Sequence, residues 1–395
     1  MCGIVGLWDR NRPSLESRPI VQAMSERLRH RGPDGNGVWS EDEHGPALGH
    51  RRLSILDLST AGAQPMTSAS GRTIVTFNGE IYNHLELRAE LGERPYRGTS
   101  DTETLVEAID QWGLLKTLAK LNGMFAFAVW HRDSRTLSLV RDRVGIKPLY
   151  YYHDPTSNRV AFVSELKALD AIPGGARPLN RGAISLLMRH GYIPCPHTIF
   201  EGVYKLGPGC LLQINESTIG QKAVPRPYWS LSDVAVRGHS AAITGQENET
   251  RERFQSLLAD SIRLRTLADV PLGAFLSGGI DSSVVVALLQ EMSTSPVSTF
   301  TVGFEQEEFD ESRQARQFAM HLGTNHHELR VTGEEARSII PSLATIYDEP
   351  FADSSQIPTL MISEFARRHV KVCLSGDGGD ELFGGYRRYE FVESL

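Results

Sequence analysis

Val270-Pro-Leu-Gly-Ala-Phe-Leu-Ser-Gly-Gly-Ile-Asp-Ser-Ser283 reads as a buried strand, a tight loop and the start of a helix that Val284-Val-Val-Ala-Leu-Leu289 carries onward. Gly278 and Gly279 let the backbone come close to an anion. The amides of Ser282 and Ser283 stand at a helix N-terminus, where unpaired donors and the helix dipole favour negative charge. The layout is that of a phosphate cradle. Asp281 adds a carboxylate beside the expected phosphates, which makes physical sense when a divalent cation such as Mg²⁺ lies between them. No Gly-Lys-Ser/Thr follows at Walker A spacing, so the cradle is of another kind. A plain strand-to-helix turn could also use Ser, Gly and Asp.

Downstream of this loop the chain alternates. Ser298–Val302 is expected as a strand and Glu311–Leu322 as a helix with Ala315, Phe318, Ala319 and Leu322 on one face and Gly323 as its stop. Glu328–Val331 is the next strand, and helical stretches near 334–347 and 354–368 precede a last strand, Val370–Leu374. Alternation of this sort predicts a parallel, doubly wound sheet with ligands at the carboxyl ends of its strands. The last strand runs into Ser375-Gly-Asp-Gly-Gly-Asp380-Glu-Leu-Phe-Gly-Gly-Tyr386, a glycine-rich loop whose acids repel bare phosphate and so again imply Mg²⁺. Alone, a solvated turn or a calcium-type loop would compete with that reading. His326-His327 lacks a matching ligand set and reads as strand decoration. Upstream, Phe254, Leu257, Leu258 and Ile262 mark an amphipathic helix. Before it, Gly, Pro, Ser, Asn and Gln loosen the pattern, so residues 211–250 are read as a connection between two domains, 1–210 and 251–395.

The N-terminal part has a different grammar. Cys2 directly follows the initiator methionine. Removal of Met1 would put a free α-amine on the same residue as the thiol, and such an amine titrates near ~8, low enough to act as base for its own side chain. Alternatively Cys2 is a small residue on an edge strand. Val21, Met24 and Leu28 share a helical face, and His30 beside Arg29 and Arg31 reads as a hydrogen-bonded loop residue. An arginine such as Arg52 can clamp a carboxylate, and an asparagine amide followed by a glycine amide, as at Asn78-Gly79, can form an oxyanion hole. Taken singly, Arg52 is a surface charge and Asn78-Gly79 a turn. Ser100-x-x-Glu103 has the form of a capping box, so Asp101 is either a helix-start acid or a holder of a substrate ammonium. Strands dominate from Met124 to Val163, which predicts an antiparallel layer with helices outside it.

The whole chain of 395 residues has a formal charge of -7 and is 40% hydrophobic, which suits two cored domains and gives no reason to expect nucleic acid or an anionic membrane as partner. Cys2, Cys195, Cys210 and Cys373 are scattered without zinc or disulfide-framework spacing, which suits a reducing setting. No apolar run reaches membrane-spanning length, and the N-terminus lacks signal-peptide character, so the cytoplasm is the expected location.

Ser277-Gly-Gly-Ile-Asp-Ser282 resembles the pyrophosphate-releasing, ATP-dependent amide-forming synthetases. Cys2-Gly-Ile4, Arg29-His-Arg-Gly-Pro-Asp34, His50-Arg-Arg-Leu-Ser-Ile55, Phe77-Asn-Gly-Glu-Ile-Tyr-Asn83, Ser100-Asp101, Asn122-Gly-Met-Phe-Ala-Phe127, Lys147-Pro-Leu-Tyr150 and Ser164-Glu165 fall in the order seen in glutamine-hydrolysing asparagine synthetases. The resemblance implies an α+β N-terminal-nucleophile sandwich, with helices around two antiparallel sheets, followed by an α/β doubly wound ATP-pyrophosphatase domain. It implies that Cys2 attacks the glutamine carboxamide, that Asn78 and Gly79 stabilise the oxyanion, and that Arg52 binds the substrate carboxylate. Glu80 and Asp101 would hold the α-amine, with Leu53 and Ile55 lining the pocket. ATP would lie against Leu276, Ser277, Gly278, Gly279, Asp281, Ser282, Val302, Ser375 and Gly376, with Mg²⁺ on Asp281 and Asp380. Asp377 stands where well-known members carry Glu, and is expected to be catalytic.

Glutamine and aspartate are the expected partners, and a homodimer is an assembly to test. Relatives amidate other carboxylates, so a sugar, peptide or antibiotic precursor is the rival acceptor; a non-catalytic scaffold is the rival outside enzymology. A phosphoribosyl or fructose-6-phosphate amidotransferase would share Cys2 and Asn-Gly-Glu but not the Ser-Gly-Gly-x-Asp-Ser loop. The family's chains continue beyond residue 395, so a truncated synthetase half is expected.

Overall fold

In the first part of the chain the central strands are buried along nearly their whole length, because both faces of the sheets are covered and successive side chains enter two different cores. A computed structural model describes residues 1–42, 44–174, 177–241, 243–306, 310–386 and 389. Its strands are β1 (Gly3–Asp9), β2 (Gly35–Ser40), β3 (Ala47–Arg52), β4 (Met66–Thr67), β5 (Thr73–Ile81) and β6 (Gly123–His131), then β7 (Thr136–Arg141), β8 (Tyr150–Asp154), β9 (Arg159–Val163), β10 (Val203–Lys205), β11 (Cys210–Asn215) and β12 (Arg226–Pro227). They form two antiparallel sheets, in the orders β10-β8-β9-β1-β3-β2 and β12-β11-β7-β6-β5-β4.

Ile4 and Trp8 of β1 meet Ala126, Ala128 and Trp130 of β6 in the core between the sheets, where the two tryptophan rings lie edge to face at 5.2 Å. Val5 and Leu7 point the other way, onto Val21 and Met24 of helix Ser14–Glu26. Phe125, Phe127 and Val129 likewise face Leu105, Val106 and Ile109 of helix Asp101–Trp112. The result is the layered sandwich with helices outside that the resemblance implies.

The structure departs from the sequence expectation at two places. Asn78-Gly79 is not a turn: β5 runs straight through it, paired with β6 at Asn78–Ala126 and Gly79–Phe125. A Cβ on Gly79 would lie 2.2 Å from the Met124 carbonyl oxygen, so this glycine serves close strand approach. The connection expected over 211–250 also starts too early. Leu211, Leu212 and Ile214 are buried, β11 pairs with β7, and the first compact unit runs from Met1 to Ala242 together with Tyr347–Ala352. The Gly207-Pro-Gly209 and Pro225-Arg-Pro227 punctuation lies inside the sheet region.

The second unit, Ile243–Ile346 with Asp353–Leu395, is built on four parallel strands: β13 (Leu272–Phe275), β14 (Ser298–Phe304), β15 (Asn325–Val331) and β16 (Val372–Leu374). Their order is β15-β14-β13-β16, so the chain steps outward from β13 and then returns to its other side. Ala274, Leu276, Val286 and Ala315 pack one face, and Phe300 with Ala366 and Val370 the other. The sheet is doubly wound, with its switch point between β13 and β16. His326 and His327 lie within β15, where the His326 Nδ1 is 3.0 Å from Thr299 Oγ1 and His327 stacks on Phe300. Helix Glu247–Arg265 buries Ile262 but leaves Phe254 and Leu257 exposed, so only its last turns use the expected apolar face. No helix among the described residues is long and apolar enough to cross a membrane.

Candidate active site

In the first unit a small pocket is lined by Cys2, Arg52, Leu53, Ile55, Asn78, Gly79, Glu80 and Asp101. All the residues expected around glutamine therefore converge, brought together from the residue just before β1, the end of β3 and the loop after it, β5, and the start of helix Asp101–Trp112. Leu53 N–H donates to Cys2 Sγ at 3.4 Å, and the thiol points to the Leu53 carbonyl at 3.7 Å. The Asn78 side chain is 1% exposed, and its Nδ2 has no hydrogen-bond partner in the structure. A buried amide donor left without an acceptor is costly unless a ligand completes it. Arg52 is held from behind: Nη1 donates to the Ser59 carbonyl at 2.7 Å and Nη2 to the Asp57 carbonyl, which fixes the guanidinium beside the pocket. Ser100 caps the helix that carries Asp101, accepting from Glu103 N–H at 3.3 Å, as the capping box predicts.

Burial dominates the electrostatics. It raises the Cys2 thiol, against the pull of the Leu53 hydrogen bond, and it lowers the Met1 amine to about 5. Burial also pushes up both carboxyls of the Glu80–Asp101 pair; for Glu80 the neighbouring Asp101 charge adds to it, while for Asp101 the Ile81 N–H at 2.9 Å resists. Two crowded carboxylates of this kind are completed by a bound cation. Lys147 lines the same pocket, 6% exposed, with its ammonium lowered by burial and by Arg31 and supported by Glu80. Its site role was not anticipated; the signal was a lone lysine between an isoleucine and a proline in an otherwise buried stretch. Gln64 was missed as well. It accepts from Phe77 N–H at 2.7 Å and donates to Thr102 Oγ1 at 3.1 Å, joining β5 to the helix start.

In the second unit the loops after β13 and β16 meet at the switch point. Gly278 has φ +84°, and the Ser277 and Ser282 hydroxyls are 2.9 Å apart, so the loop folds back on the first turn of helix Ile280–Met292. A Cβ on Gly376 would lie 2.8 Å from Ser282 N, and one on Gly379 would lie 2.2 Å from Asp281 Oδ2. The Asp281 carboxylate thus abuts the loop after β16, one residue before Asp380. Among the described residues no group of three or more His, Cys, Asp or Glu is placed to hold a metal; two carboxylates suit Mg²⁺ that takes its remaining ligands from phosphate and water. Asp377 is exposed and accepts from Ser375 Oγ at 3.1 Å. Leu276, Ser277 and Val302 line a cavity with Thr301, Phe304 and Ser355. Gly278, Gly279, Ser375 and Gly376 in the loops, and Asp281 and Ser282 in the first turn of helix Ile280–Met292, lie outside that lining.

A layered sandwich with a cysteine next to the N-terminus in a buried pocket, followed by a switch-point α/β sheet, defines the N-terminal-nucleophile type of amidotransferase joined to a nucleotide-type ligase domain. Residues 1–229 match the family model of the glutamine amidotransferase domain and residues 253–395 that of asparagine synthase. Over its full length the chain is 34% identical to "Putative asparagine synthetase (glutamine-hydrolyzing) 2" of Methanocaldococcus jannaschii, spanning 78% of that protein. It is also 34% identical to asparagine synthetase (glutamine-hydrolyzing) 1 of Bacillus subtilis, spanning 60% of it. Amidase chry2 of Gibberella zeae is 32% identical over 94% of this chain and 56% of its own length. Among solved structures, a glutamine phosphoribosylpyrophosphate amidotransferase from B. subtilis overlaps 83% of the chain at TM-score 0.43 and 16% identity. The chain belongs to the glutamine-hydrolysing asparagine synthetase family, a family of glutamine-dependent carbon–nitrogen ligases.

Proposed function

We propose that this chain carries out glutamine-dependent asparagine synthesis, with Cys2 as the nucleophile that frees ammonia. The observation that carries the reading is the buried, unpartnered Asn78 Nδ2 in the pocket that Cys2 lines. With Met1 removed, the Cys2 amine takes the thiol proton as sulfur adds to the glutamine carboxamide carbon. Asn78 Nδ2 and Gly79 N–H hold the resulting oxyanion. The proton passes to the departing nitrogen, ammonia leaves, and water opens the glutamyl thioester to glutamate. Arg52 faces the substrate α-carboxylate, and the Glu80–Asp101 pair accepts its α-ammonium.

In the second unit Ser277, Gly278, Gly279 and Ser282 cradle the ATP phosphates beside Ser375 and Gly376, and Leu276 and Val302 bound the nucleoside. Asp281 and Asp380 would hold Mg²⁺, which neutralises charge on the pyrophosphate as it departs. Asp377, in the loop after β16, serves the acceptor carboxylate in this reading. The aspartate side chain takes AMP with release of pyrophosphate, and ammonia then displaces AMP to give asparagine.

A second reading, amidation of a different carboxylate, is favoured by one relative's name, amidase chry2. Incubation with glutamine, aspartate and Mg-ATP, with glutamate, asparagine and pyrophosphate followed separately, decides between them. Asparagine and pyrophosphate in equal amounts support the first reading. Glutamate with pyrophosphate but no asparagine points to another acceptor, glutamate alone overturns asparagine synthesis by this chain and leaves a glutaminase, and no glutamate from a chain with Met1 removed overturns both readings in favour of a binding scaffold.

A further inference from the structure

The first unit contains a continuous run of charge-assisted contacts that the chemistry above does not use. It begins at the nucleophile: Arg31 Nε donates to the Cys2 carbonyl oxygen at 2.8 Å, and its Nη1 to Glu165 Oε1 at 2.8 Å. Glu165 also accepts from His30 Nε2 at 2.8 Å and from Lys167 Nζ at 3.2 Å. Burial alone would raise this carboxyl, yet the His30 and Arg31 hydrogen bonds hold it at about 2. Lys167 Nζ lies 3.5 Å from Asp348 Oδ1, and Asp348 accepts from the Leu166 and Lys167 backbone N–H groups.

Asp348 belongs to Tyr347–Ala352, the short stretch that packs with the first unit although the residues on either side of it in sequence belong to the second. A second acid, Glu349, fixes that stretch by accepting from Ile199 N–H and from Lys205 Nζ, both at 2.7 Å. The Ala352 N–H donates to the Gly191 carbonyl at 2.6 Å. A solvated linker has no need of two acids whose side chains are only 8% and 12% exposed, since their desolvation is offset only when amides and ammonium groups meet them in one register. In sequence the stretch leads at once into Ser354 and Ser355, which line the cavity that holds Leu276, Ser277 and Val302.

We propose that Glu165 is a positioning residue that ties the placement of Cys2 to the docking of Tyr347–Ala352, so that loosening this stretch slows glutamine turnover. Arg31 bonds Cys2 with one face and Glu165 with the other, and therefore cannot follow a shift of Glu165 while keeping its hold on Cys2. Loss of the Asp348 charge leaves Lys167 to compete with Arg31 for Glu165. The inference rests on the reading of Cys2 as nucleophile.

The test is glutamine hydrolysis by the full chain, comparing Glu165→Gln, Asp348→Asn and the double variant. Each single change should lower kcat by roughly two- to thirtyfold, the range expected for residues along a coupled network, with KM near its original value. The double variant should be no slower than the slower single one, since both act through one run of contacts. A general structural defect would instead add. Additive losses, or an unaltered kcat in Asp348→Asn, overturn the proposal; the latter outcome decides even if Glu165→Gln fails to fold. Cys2→Ala with full turnover would remove the underlying reading, whereas an inactive Cys2→Ala beside unaffected Glu165→Gln and Asp348→Asn removes this inference alone.

Discussion

At Asn78 a polar side chain is kept out of water with its amide donor unmet, in a strand whose neighbours are satisfied. If that donor faces the oxyanion, Asn78→Ala should lower kcat for glutamine hydrolysis by about 10²–10³ and leave KM nearly unaltered, because the interaction exists only as charge develops. Steady-state rates check this, and a KM effect without a kcat effect would move Asn78 to ground-state binding. The Glu80–Asp101 pair gives a pH expectation. Both carboxyls are raised, so acid neutralises them at a higher pH than free side chains, and the substrate ammonium loses its counter-charges as pH falls. The KM for glutamine should rise on that limb, and Glu80→Gln should begin higher and respond less. A wild-type KM flat down to the ordinary carboxylate range, about pH 4, would show that neither acid meets the ammonium. The pocket's members were legible in the sequence through resemblance; Lys147 and Gln64 were not, because a single buried cation or amide leaves no periodic trace.

Among elements, the parallel strands and the capped helix at Asp101 were readable because each has its own local signal: alternation with Gly stops in one case, Ser-x-x-Glu in the other. Strand β5 was misread at Asn78-Gly79 since the dipeptide that favours hairpin turns here lies within a nine-residue strand. Only the facing backbone of β6 explains the glycine, and that backbone is distant in sequence. The same logic governs the loops after β13 and β16. Gly376→Ala would set a methyl 2.8 Å from Ser282 N and 2.9 Å from the Asp281 carbonyl carbon, so the two loops must part. The thermal shift given by Mg-ATP should disappear in this variant while glutamine hydrolysis persists. An unaltered shift would place the nucleotide elsewhere.

For the whole molecule, division into a sandwich and a doubly wound sheet follows from the switch in grammar near residue 250, but the border does not. The family matches part between 229 and 253, while Tyr347–Ala352, deep inside the asparagine synthase match, packs with the first unit. Nothing local in Tyr347-Asp-Glu-Pro-Phe-Ala352 announces this, because its partners at Leu166, Ile199 and Lys205 are far away in sequence. Glu349→Gln, which leaves Lys205 without its carboxylate, should cost about 1–3 kcal/mol and lower the melting of the first unit. Calorimetry of the full chain checks it, since a second, separate transition should stay where it was.

The returning hexapeptide has a consequence for how such genes can be shuffled. A recombination breakpoint placed in the visibly loose region before residue 250 would exchange whole catalytic halves, yet each hybrid would inherit its six-residue clasp from the wrong parent. Chimaeras should therefore tolerate crossover there only when the parents agree at Asp348 and Glu349, and otherwise recover on grafting that hexapeptide alone.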